Sequence, residues 1–302
     1  MDTRTYDVAY VTYEGKDGDR PAVMAALGRQ GLTASTVRWS DDGTDWAGFR
    51  VVLVRSAWDY PAFREDFLER MRKADQQSLL LNPLSVLEWN TDKRYLRVLG
   101  SRGVPVVPTG WLAAGPDVTA ADAAAAVPHG WQDLVVKPSV GAGGRHCLLT
   151  GDRERAWTYA AQLARRGAHV LIQPYLAAVD GEGETSLVYI GGAYSHAVRR
   201  SHSYLAPGVP VPGLLVPGEA EAGRVDTHEP SEGQREVAEA ALAAIRGAAD
   251  LTYARIDLIP DAAGRPLLAE VELTEPFLFL NFSPTAADLL ARTVARTVAA
   301  SR

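Results

Sequence analysis

Residues 255–273, RIDLIPDAAGRPLLAEVEL, carry, besides Asp261 at the turn, three carboxylates on two apolar runs that a short turn must fold together. Ala263–Gly264 supplies that turn, so the runs are expected to pair as an antiparallel hairpin. With the turn centred there, Asp257 lies across from Glu270, and Glu272, two residues on, shares Glu270's face. Three carboxylates then converge within one side-chain reach. At a separation of about 5 Å and an effective dielectric near 20, each like-charge pair repels by roughly 3 kcal/mol. A divalent cation reverses that sign, and hard carboxylate donors shared with phosphate oxygens suit Mg²⁺. The other arrangement open to these residues is a solvated edge hairpin with alternating acids. Ile256, Leu258, Leu268, Ala269 and Val271 around them favour burial, and hence the metal.

The rest of the chain narrows the setting. It has 302 residues and a net charge of −6, which argues against nucleic-acid binding driven by overall charge. A 47% hydrophobic share is ample for a core. One cysteine, Cys147, rules out an internal disulfide framework and suits a reducing compartment. The N-terminal residues have no apolar signal core, and no run approaches the ~18 apolar residues that span a bilayer. The expectation is a cytoplasmic protein with no membrane or nucleic-acid partner. No H-E-x-x-H, G-x-x-x-x-G-K-[ST] or G-x-G-x-x-G pattern occurs.

Strands and helices alternate through the first third: strands at 7–13, 33–39, 50–56 and 79–83, helices after Asp19-x-Pro21 and over 62–74. Asp19 is expected to cap the first helix and Gly31 to stop it. This predicts a small, mostly parallel sheet. A helix over 91–101 and the proline-bearing extended stretch 104–112 mark a boundary. Helix 118–127, strand 133–140, a glycine loop, strand 145–150, helix 153–166 and strand 169–176 form the next lobe. Strands 184–190 and 193–201 join through Gly191–Gly192. Residues 204–229, rich in proline and glycine, are too long for an idle turn and are expected to be either an ordered functional loop or a mobile one. Ser231-x-x-Gln234 is a capping box opening a helix to Arg246. A closing helix covers 285–300. The fold class is α/β (α+β), divided as 1–103, 104–175 and 176–302.

Three further motifs carry chemistry. LVVKPSVGAGG, 134–144, ends an apolar strand on Lys137 before a loop of Ser139, Gly141, Gly143 and Gly144. Glycines let backbone N–H groups approach phosphate oxygens, although a plain turn uses them too. LIQPYL, 171–176, is an apolar strand interrupted by Pro174, and TDKRYL, 91–96, places Lys93 at a helix start. Only four of the 31 basic residues are lysines, at 16, 73, 93 and 137. Two of these four fall in the motifs.

The ordered set of Lys93, Lys137 with its glycine loop, an extended hinge, and the acids Asp257, Glu270 and Glu272 resembles the ATP-grasp superfamily of carboxylate–amine ligases. The resemblance spans about Thr91 to Pro276. It implies an N-terminal α/β domain and two α+β lobes enclosing ATP, with 1–103 as the first domain. It implies that Lys93 and Lys137 hold ATP phosphates, with Ser139, Gly141, Gly143 and Gly144 as the covering loop. Gln173, Tyr175 and Leu176 would meet adenine, mainly through backbone, and Glu184 the ribose. Arg200 would reach the γ-phosphate, with Arg199 the alternative. Asp257, Glu270 and Glu272 would bind Mg²⁺, two ions by analogy, with Mn²⁺ as a substitute. Arg255 would polarise the reacting carboxylate, or else pair with a neighbouring acid. The family usually has Asn where Glu272 stands and an acid where Gln173 stands.

The substrate reading rests on VLVRSAWDY, 52–60, at a strand end where open α/β sheets meet ligands. Arg55 is expected to clamp a carboxylate, and Asp59 or Glu14 an ammonium. The alternative is that Trp58 and Tyr60 pack an interdomain face while Arg55 pairs with an acid. RSAWDY with AEVELTEPFLFL resembles the ring-closing branch of the family, which turns O-ureido-D-serine into an isoxazolidinone with release of CO₂ and ammonia. That implies an ATP-dependent cyclo-ligase of antibiotic biosynthesis. Intermolecular ligation, protein-tail modification and nucleotide binding without turnover are the competing readings. The absence of a basic docking tract disfavours tail modification, and the full set of lysines and acids disfavours a non-catalytic role. The partner is an amino-acid-like small molecule; whether the chain forms a homo-oligomer is open.

Overall fold

The computed structural model describes residues 5–201, 207–211 and 224–300. The first region runs β1 (Tyr6–Thr12), α1 (Arg20–Arg29), β2 (Ala34–Arg38), β3 (Phe49–Ser56), α2 (Arg64–Gln77) and β4 (Leu79–Leu81). Its parallel sheet has the order β2-β1-β3-β4. β1 and β3 are continuous apolar runs because both faces are covered. Two short helices follow, α3 (Leu84–Asn90) and α4 (Tyr95–Ser101).

The second region contains β5 (Gly110–Leu112), α5 (Ala120–Ala125), β6 (Leu134–Pro138), β7 (Leu148–Thr150), α6 (Arg153–Arg165) and β8 (Val170–Pro174). Its antiparallel sheet is ordered β5-β8-β6-β7. Apolar side chains of α5 and α6 share one core with that sheet. The third region comprises α7 (Ala178–Glu182), β9 (Glu184–Ile190), β10 (Ala193–Ser201), β11 (Arg224–Thr227), α8 (Glu232–Ala243), β12 (Tyr253–Pro260), β13 (Pro266–Glu272) and α9 (Ala286–Ala300). Its sheet is ordered β11-β10-β9-β12-β13. Leu290 and Val294 of α9 bury against Val23 and Leu27 of α1, in a core that also holds Val188 and Tyr253. First and third sheets therefore share packing through the last helix.

Several expectations shift. Ser231 and Gln234 form the capping box on α8. Asp19 sits at the N-cap of α1 but makes no capping bond. Its carboxylate accepts instead from the Leu278 and Leu280 N–H groups. Asp17 satisfies the helix start, accepting from the N–H groups of Asp19 and Arg20. The helix expected over 91–101 begins only at Tyr95. Residues before it form a turn in which the Lys93 N–H donates to Ser139 O. α3 and α7 were not anticipated; at 7 and 5 residues they are too short for a helical period to stand out. Of the proline-rich segment 204–229, residues 207–211 run beside β7, with Gly208 N–H donating to Leu149 O, and Arg224–Thr227 pair with β10. Residues 204–206 and 212–223 of that expected loop lie outside the described residues, and 228–229 lead into α8. Among the described residues no helix is long and apolar enough to cross a membrane.

The hairpin reaches its expected register by a different route. Asp261 N–H bonds Arg265 O, so the turn centres on Ala263 with Gly264 at φ +76. That alone would place Asp257 across from Ala269. A β-bulge at Ala269 restores the pairing Asp257↔Glu270 and Arg255↔Glu272. β13 is an edge strand, but its outer backbone is occupied. Leu268 bonds Pro105 and Val107, Val271 bonds Tyr95 Oη and Asn90, and Leu273 bonds Asn90.

Candidate active site

A cavity of about 270 Å³ lies where β6 and the end of β8 face β9, β10, β12 and β13. Its floor is a network of charges. Arg255 grips Asp257 with Nε at 2.9 Å and Nη2 at 2.9 Å, and reaches Glu272 with Nη2 at 2.5 Å. Its Nη1 donates to Phe277 O, so all three nitrogens are engaged. Arg200 Nη2 contacts Glu184 at 2.6 Å and Asp257 at 3.2 Å. Ser186 Oγ donates to Asp257 at 2.7 Å. Lys93 Nζ lies 2.6 Å from Glu270 and donates to Gly141 O at 2.6 Å. Lys137 also lines the cavity, and its ammonium has no hydrogen bond or ion pair among the described residues.

The expected convergence of Asp257, Glu270 and Glu272 is not met in this arrangement. Among the described residues no three His, Cys, Asp or Glu side chains are grouped to hold a metal. Arg255 bridges Asp257 and Glu272, while Lys93 draws Glu270 away, because cations relieve the repulsion between neighbouring carboxylates. The donors themselves are hard oxygens lining one cavity, so the set fits Mg²⁺ and not a soft metal. Arg255, expected either to polarise a substrate or to pair with an acid, has the second arrangement.

Burial and charge set the titration of these groups. Burial alone would raise Asp257, but Arg255 and Arg200 outweigh it and hold the carboxyl below its usual range. Burial alone would lower Lys93; the Glu270 carboxylate beside it raises it instead. Glu272 is pushed up to about 7, by burial first, with Arg255 opposing and Glu270 and Asp257 adding. A carboxyl raised in the fold contributes stability below its unfolded value and loses it as pH rises through about 7. Glu272→Gln, without added nucleotide or metal, should therefore melt above the parent at pH 8, by at most about 3 kcal/mol. The difference should shrink as pH falls and vanish below about pH 4.5. A lower Tm at pH 8 would mean that the Arg255 pair outweighs the repulsion.

The glycine loop follows β6. Gly143 and Gly144 adopt φ +57 and +70, a region that side-chain-bearing residues rarely enter, and both line the cavity with Gly141. Ser139 does not line it. That residue is 1% exposed, and its carbonyl accepts from Lys93 N–H while its N–H donates to His169 O. Gln173, Tyr175, Leu176 and Glu184 line the cavity. One N–H of the Gln173 side-chain amide donates to Thr109 Oγ1, and the Tyr175 backbone N–H is spent on Asp133 O. The Leu176 N–H has no partner among the described residues. Arg200, and not the exposed Arg199, faces the cavity.

Residues 8–82 match the family described as D-cycloserine synthetase DcsG, N-terminal domain. The cycloserine biosynthesis protein DcsG of Streptomyces lavendulae is 36% identical over 288 residues, covering 92% of this chain and 93% of that protein. The chain belongs to the D-cycloserine synthetase family, a group of ATP-dependent ligases. The crystal structure of D-cycloserine synthetase DcsG superposes with a TM-score of 0.86 at 34% identity, covering 96% of this chain and 99% of that one. The RimK domain ATP-grasp protein of Sphaerobacter thermophilus shares the fold at a TM-score of 0.62 and 17% identity, covering 96% and 98%. The fold is thus ATP-grasp.

For this D-cycloserine synthetase relative, the three residues expected to hold substrate are elsewhere. Arg55 is 1% exposed, donates to Pro276 O and lies 3.6 Å from Asp19. Asp59 accepts from Trp39 Nε1 at 2.6 Å. Glu14 is exposed and contacts Arg38 at 3.3 Å. None of the three lines the cavity. The 52–60 segment instead contributes Trp58 and Tyr60, joined by Asn90, Glu275 and Phe277. Glu275 went unnoticed because it follows the metal-like pattern by three residues. Its signal was a fourth acid in the otherwise apolar run LTEPFLFL.

Proposed function

We propose that this chain is an ATP- and Mg²⁺-dependent cyclo-ligase that converts O-ureido-D-serine to D-cycloserine in antibiotic biosynthesis. The reading is carried by one arrangement: phosphate-type lysines, a glycine loop and a carboxylate set line a single cavity in a chain 36% identical to DcsG. Lys137 and Lys93 would bind phosphate oxygens beside the Gly141–Gly144 loop, and Leu176 N–H would meet the base. Glu270, Glu272 and Asp257 would hold the metal, which supplies neutralisation of phosphate charge.

The chemistry needs a carboxylate made electrophilic. The γ-phosphoryl passes from ADP's terminal oxygen to a substrate carboxylate oxygen, giving an acyl phosphate and ADP. Lys137 and Arg200 would spread the charge that develops. The ureido nitrogen bound to oxygen attacks the acyl carbon, closing the ring and expelling phosphate. Water then cleaves the carbamoyl group from that nitrogen, releasing CO₂ and ammonia. Arg255, hydrogen-bonded to Asp257 and Glu272, would hold both carboxylates in position for this.

The test is ADP release with ATP, Mg²⁺ and an amino-acid panel. ADP should appear only with O-ureido-D-serine and Mg²⁺ together, with D-cycloserine detected by mass spectrometry. ADP release with pairs of amino acids, and none with O-ureido-D-serine, would replace ring closure by intermolecular ligation.

A further inference from the structure

Five carboxylates line the cavity, and four have cationic partners: Glu184 and Asp257 on Arg200, Asp257 and Glu272 on Arg255, Glu270 on Lys93. The fifth, Glu275, has no hydrogen bond or ion pair from its carboxylate among the described residues. Burial first, then the Glu272 charge, pushes its pKa well above the usual carboxylate value, against the opposing charge of Lys93, which is itself bonded to Glu270. An acid in such a place is costly unless a cation meets it.

Its backbone is held firmly in that place. Four successive carbonyls accept from side chains: Thr274 from Tyr253, Glu275 from Trp58, Pro276 from Arg55, Phe277 from Arg255. Asp19 then takes the N–H groups of Leu278 and Leu280. Four aromatic side chains line the cavity, and three of them sit by Glu275: Trp58, which bonds its carbonyl, Tyr60, on which its charge acts, and Phe277 two residues on, with the Trp58 and Phe277 centroids 6.1 Å apart. The Trp58 N–H is already spent on the backbone, so the ring offers the cavity an apolar surface.

We propose that Glu275, walled by Trp58, Tyr60 and Phe277, is the subsite for the substrate's α-ammonium group. This rests on the reading above that the substrate is an amino acid. One carboxylate beside aromatic rings suits a monovalent, three-donor cation. Mg²⁺ needs several oxygen ligands and keeps its water, so an aromatic wall does not suit it. The subsite would fix the amino end of the molecule while the carboxylate end meets the phosphate side.

The experiment is calorimetric binding to the full chain with Mg²⁺ and a non-hydrolysable ATP analogue. The probes are O-ureido-D-serine and D-serine, each against its counterpart lacking the amino group, 3-(ureidooxy)propanoate and 3-hydroxypropanoate. The parent should favour an ammonium-bearing probe about 10–100-fold. Glu275→Gln should bring that ratio near one, and Glu275→Asp should restore much of it. Equal weakening of both members of a pair, or no change, would overturn the subsite. So would a parent that fails to discriminate. Discrimination towards D-serine without ADP release on O-ureido-D-serine would sink the ring-closing reading and leave the subsite standing.

Discussion

Replacing Lys137 by alanine is expected to lower turnover by about 10²–10³-fold, the usual cost of removing one group that meets developing charge. Its Tm should stay near the parent's, because the ammonium makes no hydrogen bond or ion pair among the described residues. Most substitutions of this kind cost within about 0.5 kcal/mol. Lys93 differs: it is tied to Glu270 and to Gly141 O, so its removal would disturb the site as well as any ligand. Lys137→Arg isolates the geometry from the charge. A compact ammonium on a flexible stem follows a moving phosphate, whereas a planar guanidinium fixes its donors in a fork. The arginine variant should therefore remain impaired in steady-state ADP release, by tenfold or so, in a chain where arginine is otherwise the common base. Near-normal turnover would refute the point-charge explanation.

What sequence patterning made visible was whatever depends on near neighbours. The Ser231–Gln234 capping box joins two residues three apart, and the hairpin register follows from one turn, so both could be read. Even there, the bulge at Ala269 compensates for a turn centred half a residue from the expected place, which no alternation of residues announces. Asp19 had every local sign of a helix cap. It failed as one because the Leu278 and Leu280 N–H groups, some 260 residues later, take the same oxygens. The expected role of Arg55 failed for the same reason. It stands at the end of a parallel strand, where ligands are often met, but the returning 274–280 segment covers that end first. Trp58 and Tyr60 follow where β3 has ended, so strand alternation said nothing of their direction. Glu275 became conspicuous only once every other acid in the cavity had a partner.

Arg55 leads to the other large expected effect, on stability. Its guanidinium is fully buried, yet Nε and Nη1 have no hydrogen-bond partner among the described residues. What balances it is the Asp19 carboxylate at 3.6 Å, the Tyr253 ring with its centroid 4.7 Å away, and Pro276 O at 2.8 Å. Burial would lower its pKa, and the Tyr10, Tyr253 and Asp19 surroundings raise it instead. Arg55→Met should cost about 3–5 kcal/mol, since it leaves Asp19 buried without its counter-charge and frees Pro276 O. That is a third or more of the stability of an ordinary domain. Asp19→Asn in the same chain should recover part of the loss, because the remaining charge is then removed while the amide oxygen can still accept from Leu278 or Leu280. Denaturant melts of the two single variants and the double variant measure this coupling. A single-variant cost under about 1 kcal/mol would mean that the clamp on 274–280 does not depend on the ion pair. A large cost, relieved in the double variant, would show that the buried Arg55–Asp19 pair, which also bonds the backbone on either side of Phe277, underpins the fold behind the cavity.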